Sequence, residues 1–452
     1  MNIIIVGCGK VGATLAQRLS GEKHNISIID ENPVKISEVT DQYDVKGVVG
    51  NGVSFKTLQE AGISGADLLI AVTGSDEQNL LCCCIAKKAG SCKTIARVRN
   101  PLYNEDIAFL REELGISLII NPELTCANEI ARIFQFPSAV RIESFSKGLI
   151  EIMHFRVTKE CLLSDYPLMN LRSKLGLDVI VCTVRRGEEL IIPKGDFVFH
   201  EGDVVGFLAR PQTATEFFKK VGIGTGKTRT AMLVGGGKIS YYLAQRLLLV
   251  GISTKIIETD NARCQALSEL LPKATIICGD GTDERLLMQE GLPNVDGFAA
   301  LTGLDEENIL VSLLARKLSK AKTVTKINRI NFNSVLEDMQ VDTTVFPRLL
   351  TADTIVRYAR SMNESLGSDV ENLYRIEDGK AEALEFYIKE PSAVTGTPIA
   401  QLNLRKDLTI CSINRRGRII LPGGSDELKV GDHVVVVVKD DTLTEIDHIL
   451  QR

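Results

Sequence analysis

The sequence predicts an α/β protein written twice: two doubly wound parallel-sheet domains, each followed by a small α+β domain, as a tandem duplication. Three observations predict it. First, motifs return at one offset. Gly7-Cys8-Gly9-Lys10 comes back as Gly235-Gly236-Gly237-Lys238 and Asp30 as Glu258, both 228 residues on. Gly50-Asn51-Gly52 returns as Gly279-Asp280-Gly281, Thr73 to Asn79 as Thr302 to Asn308, Pro193 as Pro422 and Gly202-Asp203 as Gly431-Asp432, all at 229. Second, short apolar runs alternate with amphipathic stretches in the first part of each copy. Third, a glycine turn follows the first apolar run of each copy and opens a helix.

Within the first copy the spacing predicts strands at 3–6, 26–30, 45–49, 67–72, 93–98 and 117–120. Helices are expected between them at 11–20, 34–41, 54–61, 77–89, 104–113 and 123–134. Near-continuous apolar strands alternating with helices belong to a parallel sheet covered on both faces. Right-handed crossovers then favour a Rossmann-type order. These domains are expected at 1–135 and 230–360. The stretches 140–222 and 368–452 read instead as small α+β domains, with hairpins around Gly148, Arg186-Gly187 and Arg416-Gly417 and a short helix before the middle pair. Phe136-Pro137-Ser138 and Ser361 to Ser368 read as hinges, and Gly222 to Thr230 as the linker between copies.

The turn Gly7-x-Gly9-x-x-Gly12 lies between strand and helix, the context that gives this pattern its meaning. Gly7 permits the tight turn, Gly9 lets backbone N–H groups approach a pyrophosphate, and Gly12 lets helix and strand pack closely. Cys8, Lys10 and Val11 fill the remaining positions of that loop and are candidate cofactor contacts. Asp30 ends the second strand, 18 residues after Gly12. A carboxylate there accepts hydrogen bonds from ribose hydroxyls and repels a 2′-phosphate, which favours NAD or an adenosine nucleotide over NADP. In the second copy Gly235 and Gly237 remain, Ser240 replaces the third glycine, and Glu258 keeps the ribose acceptor. Lys10 and Lys238 either meet a phosphate as point charges or are simply solvated. Thr73 and Thr302 sit at the carboxyl edge of the sheet, placed to touch the cofactor or to cap the helix that follows. Gly224-Thr225-Gly226-Lys227-Thr228 imitates a phosphate loop, but Val221 stands where such a loop needs glycine, and the stretch lies in the linker.

The chain has 452 residues, too many for one core. Its 53 basic residues are outnumbered by 58 acidic ones, so bulk attraction to nucleic acid is missing. No apolar run approaches the ~20 residues of a spanning helix. The first residues carry no basic leader, and a cytoplasmic location is expected. The eleven cysteines, with Cys82-Cys83-Cys84 inside a helical pattern, read as reduced and mostly buried thiols, with no histidine at zinc-site spacing. Arg185-Arg186 and Arg415-Arg416 are expected at hairpin turns, solvated.

On these residues the chain resembles the RCK family, the regulators of potassium conductance, whose modules are also called TrkA-N and TrkA-C domains. The resemblance covers essentially the whole chain. Its most specific parts are Val6 to Gly12, Thr73 to Asn79 and Ala96-Arg97-Val98-Arg99-Asn100-Pro101. The tandem arrangement is similar to that of the two-copy regulators of Trk-type potassium uptake. The resemblance implies a peripheral protein on the cytosolic face of a potassium-translocating membrane subunit of TrkH type. It implies NAD(H), and in this family ATP or ADP, as effectors that reshape a ring of eight Rossmann domains, hence a homotetramer of two-domain chains. It also implies that Asp76, Glu77 and Arg97 line the edge where ligands and neighbouring domains meet, with Lys326 in place of the arginine in the second copy.

A non-catalytic role agrees with the residues. Hydride transfer needs an acid or base against the nicotinamide, and the first Rossmann stretch holds one histidine, His24, near a turn. A conformational effector needs only unequal affinity for two states. The competing readings are an NAD-dependent oxidoreductase and a ligand sensor for a different transporter or channel.

Overall fold

The computed structural model describes residues 1–22, 24–90, 92–137, 141–145, 150–209, 211–223, 228–329, 341–364, 370–377, 380–439, 443 and 445–451. The first sheet holds β1 (Asn2–Val6), β2 (Asn25–Asp30), β3 (Lys46–Val49), β4 (Leu68–Ala71), β5 (Lys93–Arg97) and β6 (Leu118–Ile120). All its neighbours are parallel, in the order β3-β2-β1-β4-β5-β6. The order reverses between β1 and β4, and a crevice opens there at the strands' carboxyl ends. Helices follow the apolar periodicity. Asp76–Ala89 lays Cys82, Cys83 and Ala86 onto β1, β4 and β5, where they join Ile4, Leu69, Ala71 and Ala96 in one buried cluster. The expected helix 104–113 is two pieces, Pro101–Glu105 and Ile107–Glu113, separated at Asp106.

The first small domain holds β7 (Arg141–Phe145), β8 (Ile150–Arg156), β9 (Ile180–Arg186), β10 (Glu189–Ile191) and β11 (Val204–Ala209), antiparallel in the order β10-β9-β11-β8-β7. The second copy repeats the parallel sheet with β12 (Thr230–Val234), β13 (Ser253–Glu258), β14 (Thr275–Cys278), β15 (Gly297–Ala300), β16 (Lys322–Lys326) and β17 (Thr343–Val345), ordered β14-β13-β12-β15-β16-β17. Its small domain holds β18 (Val370–Ile376), β19 (Ala381–Tyr387), β20 (Leu408–Arg415), β21 (Arg418–Ile420) and β22 (Asp432–Lys439), ordered β18-β19-β22-β20-β21. The helix expected before the middle hairpin is present in the first copy as Leu171–Leu175, whereas the second has only the 3₁₀ turn Ile399–Gln401 among its described residues. The turn at Gly148, Gly224 to Lys227 of the linker, Ser138 and 365–368 of the hinges lie outside the described residues.

Like gathers with like. Met1–Gln135 and Thr228–Val356 form one compact unit, and Phe136–Lys227 with Arg357–Arg452 form the other. In the first unit, helix Pro122–Gln135 leaves its own sheet and packs on the second copy. Cys126, Ile130 and Phe134, spaced four apart on one face, enter a cluster with Leu233, Tyr242, Leu247 and Val324. Each such large side chain contributes about 1.5–3 kcal/mol by leaving water. Asn121 Nδ2 donates to the Tyr242 hydroxyl at 3.1 Å, satisfying that buried phenol. Returning the exchange, Arg18 bonds Asp353 on helix Pro347–Glu364.

The second unit has a phenylalanine core in its first half, where Phe155, Phe207, Phe217 and Phe218 meet edge-on or stacked with centroids 4.1–6.0 Å apart. The opposite faces of the two small sheets share a further apolar cluster that includes Ile152, Leu208, Ala383 and Val435.

Candidate nucleotide site

The apolar strand β1 ends at Val6, and the chain must turn sharply to start helix Lys10–Ser20 beneath the sheet edge. Gly7 makes the turn at φ +104°, a region that side-chain-bearing residues avoid, and a Cβ there would stand 3.0 Å from the Thr73 backbone. Gly9 precedes the first helical residue at φ −79°, an ordinary value, and nothing lies within 4 Å of where its Cβ would be. Gly12 is the packing glycine: a Cβ on it would come 1.9 Å from the Gly7 carbonyl oxygen. So Gly7 shapes the turn, Gly12 seats the helix, and Gly9 leaves open space above the positive helix end, where an anion is favoured.

Asp30 closes β2 with its carboxylate turned toward this loop. It accepts from the Cys8 N–H at 2.7 Å and from the Asn32 N–H at 2.9 Å. The carboxylate therefore pins the glycine turn as well as facing the crevice. Cys8 itself is turned away, its thiol donating to the Lys35 carbonyl at 3.3 Å. Burial, with the Asp30 charge beside it, pushes that thiol up to about 11, so it is no nucleophile.

Across the crevice Thr73 donates both its N–H and its hydroxyl to Asn79 Oδ1, each at 2.8 Å. Asn79 Nδ2 passes the link on to the Arg97 carbonyl at 2.8 Å. The cap of helix Asp76–Ala89 is Ser75, whose hydroxyl accepts from the Gln78 N–H at 3.2 Å. Thr73 is thus a brace for the strand end and not the cap that the sequence allowed. Asp76 Oδ2 accepts from the N–H groups of Arg99 and Asn100 at 2.9 and 2.8 Å, tying helix start to strand end. Glu77 accepts from the Ser75 and Tyr103 hydroxyls at 2.8 and 2.9 Å, and these bonds with its own backbone N–H hold it below the usual carboxylate range.

A cleft of about 470 Å³ opens among these groups, and Gly7, Gly9, Lys10, Val11, Asp30 and Thr73 line it. Cys8 and Gly12 do not: one pins, the other packs. Glu31, Lys35, Gly50, Asn51, Gly52, Gln78 and Arg97 are also part of the wall. The glycines at 50 and 52 were visible only as repeat markers. Gly52 is needed because a Cβ there would come 2.1 Å from Val6 Cγ1. Arg97 bonds the Thr73 carbonyl, and burial, with Arg99 nearby, lowers its guanidinium below its usual value. The cleft carries charges of both signs: Lys10 and Arg97 line it, and Asp30 and Glu31 at the end of β2 line it together with Lys35. A ligand with an anionic middle and a diol at one end matches that pattern.

The second copy builds the same turn with different fittings. Gly235 takes φ +96°, and Gly237 stands at φ −66° with open space around it. The Gly236 N–H donates to Glu258 at 2.6 Å, the counterpart of the Cys8–Asp30 bond. Burial opposes ionisation of Glu258, but bonds from Asp260, Gly236 and Thr259 outweigh it and hold the carboxyl below its ordinary value. Ser240 is fully buried, and its hydroxyl bonds the Gly235 carbonyl, replacing a glycine contact by a hydrogen bond. Arg263 Nε donates to the Gly236 carbonyl at 2.7 Å, crossing the turn on the side where the first copy carries Lys35. Lys238 is exposed at the helix start, like Lys10. The Thr302 N–H donates to Asn308 at 2.8 Å, and Leu304 precedes the helix without a side-chain cap, so Thr302 repeats the bracing role. Lys326, in the place of Arg97, is buried with its ammonium 3.4 Å from the Leu301 carbonyl, and burial lowers it.

The small domains correct one expectation. Arg186 and Arg415 are not solvated turn residues. Each grips a buried carboxylate with two bonds, Arg186 to Asp203 at 2.9 and 2.8 Å and Arg415 to Asp432 at 2.8 and 2.7 Å. Fork-to-carboxylate geometry is the strong form of this contact. Ten of the eleven cysteines are buried or half-buried thiols, and Cys278 is exposed. No helix among the described residues is long and apolar enough to cross a membrane.

Comparison with known proteins agrees with this architecture. The TrkA-N domain matches residues 3–122 and 231–347, and the TrkA-C domain matches 152–222 and 383–451. A "Trk system potassium uptake protein TrkA homolog 1" of Methanosarcina mazei is 32% identical over 99% of this chain and 99% of its own. The "Trk system potassium uptake protein TrkA" of Haemophilus influenzae is 31% identical over 100% of this chain and 99% of its own. Among solved structures, the GsuK RCK domain superposes with a TM-score of 0.64 at 19% identity, covering 97% of this chain and 92% of that one. A GsuK channel bound to NAD gives 0.64 at 19%, covering 97% and 77%. With both domain types matched twice and relatives similar from end to end, the chain belongs to the TrkA family of tandem TrkA-N and TrkA-C domain proteins.

Proposed function

We propose that this chain is the peripheral regulatory subunit of a potassium uptake system, acting on the inner face of the cell membrane. In this reading NAD(H) or an adenine nucleotide occupies the first cleft and gates ion flow through a potassium-translocating subunit of TrkH type. The first cleft carries the proposal: an open glycine turn lined by Lys10 and Arg97, with the Asp30 carboxylate at the end of β2. The pyrophosphate would lie over Gly9 and the ribose hydroxyls would meet Asp30. Two carboxylates, Asp30 and Glu31, outnumber Lys35 on the wall a 2′-phosphate would face, so NADP is disfavoured. Glu258, Gly235, Gly237, Lys238 and Thr302 offer a second version of the site, with Arg263 bonded across its turn.

Chain similarity to uptake-system proteins supports the transport role. The four-part division 1–135, 140–222, 230–360 and 368–452 is part of this reading, supported by the ranges of the two domain types. So is a homotetramer, which would bring eight Rossmann domains together. The protein is a regulator and not an enzyme. A ligand that favours one arrangement of the unit by about 1.4 kcal/mol changes the ratio of two states tenfold, which suffices for gating without chemistry.

The test is potassium flux through vesicles that hold a Trk-type membrane subunit, with purified protein and NADH, NAD, ATP or ADP, while NADH absorbance is followed. Flux that responds to nucleotide at constant absorbance is the expected result. Flux indifferent to every nucleotide, or steady NADH consumption, would overturn the proposal.

A further inference from the structure

Cys182 on β9 and Cys411 on β20 are 229 residues apart, the offset of the repeat, and occupy the same place in each copy: Val181-Cys182-Thr183-Val184 and Ile410-Cys411-Ser412-Ile413. The two small sheets meet there, inside the apolar cluster of the second unit, and both side chains are completely buried. Their sulfurs stand 3.3 Å apart. The thiols make weak contacts to the backbone, Cys182 to the Ile180 carbonyl and Cys411 to the Thr409 carbonyl, both at 3.7 Å, and Cys182 also meets the Leu208 backbone. Little is lost if the S–H groups go. A disulfide needs about 2.05 Å between sulfurs, so each would move by roughly 0.6 Å, within reach of a small side-chain rotation. The product is apolar, as its surroundings are.

We propose that Cys182 and Cys411 form a reversible disulfide that joins the two small domains covalently, made by a hydroperoxide or a small-molecule disulfide and undone by thiols. With a hydroperoxide, one thiolate attacks the peroxide oxygen, becoming a sulfenic acid and releasing an alcohol or water. The second thiol sulfur then displaces the sulfenic hydroxyl, which leaves as water with the thiol's proton. Each cysteine gives up one electron and the peroxide accepts two. Burial, with Cys411 beside it, raises the Cys182 thiol well above its ordinary value, so the attacking thiolate is scarce while the sheets stay together. Oxidation therefore follows opening of this interface, and the bond fixes the sheets when they close again. Because the chain is a duplication, one cysteine position repeated in both copies puts a sulfur on each side of the interface.

The full chain, purified reduced, is exposed to hydrogen peroxide or oxidised glutathione, alkylated, and digested without reductant for mass spectrometry. A peptide carrying Cys182 joined to one carrying Cys411 is expected, absent before oxidation and removed by dithiothreitol. Its yield should rise with pH and with sub-denaturing urea, and the thermal transition of the oxidised protein should move up. Cys182→Ala and Cys411→Ala should each abolish the cross-link while circular dichroism stays that of the parent. Should a variant not fold, the peptide map of the unaltered chain decides. Exposed Cys278 serves as internal standard. If it is modified while Cys182 and Cys411 remain free thiols, or if either is found joined to another cysteine instead, the proposal is wrong.

Discussion

Gly12→Ala and Gly9→Ala differ by one methyl group each, three residues apart, and should have opposite consequences. At Gly12 the new Cβ would lie 1.9 Å from the Gly7 carbonyl oxygen and 3.0 Å from its carbon. A tolerable carbon–oxygen contact is about 3.3–3.6 Å, so the deficit is roughly 1.5 Å. Both partners are backbone, and no rotamer change relieves it; helix Lys10–Ser20 must slide off β1. Overpacking of this kind costs about 1–3 kcal/mol. At about 2–4 °C per kcal/mol for a domain of this size, the transition of the first unit should fall by ~4–8 °C at mid-range. Sliding also spoils the cleft, so nucleotide affinity falls too. At Gly9, φ is −79° and no atom lies within 4 Å, so stability should stay within about 0.5 kcal/mol while nucleotide loses its approach to the turn. Gly12→Ser should be milder than Gly12→Ala, since Ser240 tolerates its Cβ with a hydroxyl bond to Gly235. Scanning calorimetry with and without NADH, beside isothermal titration, separates the cases. A Gly12→Ala protein that melts and binds like the parent would refute the packing argument.

Other outcomes follow from the same geometry. Gly9→Val should abolish nucleotide binding at the first cleft in a folded protein; retained binding would move the site elsewhere. Asp30→Ala should weaken binding by about 1–3 kcal/mol and also lower stability, because the Cys8 and Asn32 N–H groups lose their acceptor; titration calorimetry and urea unfolding read the two effects. Arg186→Ala strands the buried Asp203 carboxylate and should destabilise the small-domain unit by about 1–3 kcal/mol, measured by urea unfolding at neutral pH. Burial opposes ionisation of Asp203, but the Arg186 and His200 bonds win and depress it below 3.8. The stability it contributes is therefore present above the unfolded carboxylate range, near pH ~4, and is lost as pH falls through its lower folded value. Acid titration of unfolding should show this loss below pH ~4 in the parent and a smaller one in Arg186→Ala.

Much of the fold was legible because its signals are local. Glycine at 7, 9 and 12, an apolar β1 and a carboxylate at 30 follow from what a strand-turn-helix needs, and the offset of 228–229 repeats all but the third glycine in the second half. Ownership of packing was not legible. Cys126, Ile130 and Phe134 announce a buried helix face, but periodicity does not say whose sheet it covers, and here it is the other copy's. The arginines failed for a similar reason: a hairpin position suggests solvent, while the partner lies 17 residues on. That signal existed, since Arg186–Asp203 and Arg415–Asp432 share the spacing in both copies. Arg263 over the second turn had none, because its reach across Gly236 depends on a side-chain path that spacing does not encode.

Helix Pro122–Gln135 has a consequence for how such a chain must be cut or built. A fragment ending near residue 222 would carry the helix but not the sheet it serves, leaving Cys126, Ile130 and Phe134 facing water. The nearest remedy is a second fragment, whose own helix could be traded in return, as in domain swapping. Joining the halves in one polypeptide replaces that encounter between molecules by a local one, at an effective concentration on the order of millimolar for a short tether. Duplication thus frees the exchange from dilution: the two halves stay matched at any expression level, and each is then at liberty to diverge, as the turns at Gly12 and Ser240 have done.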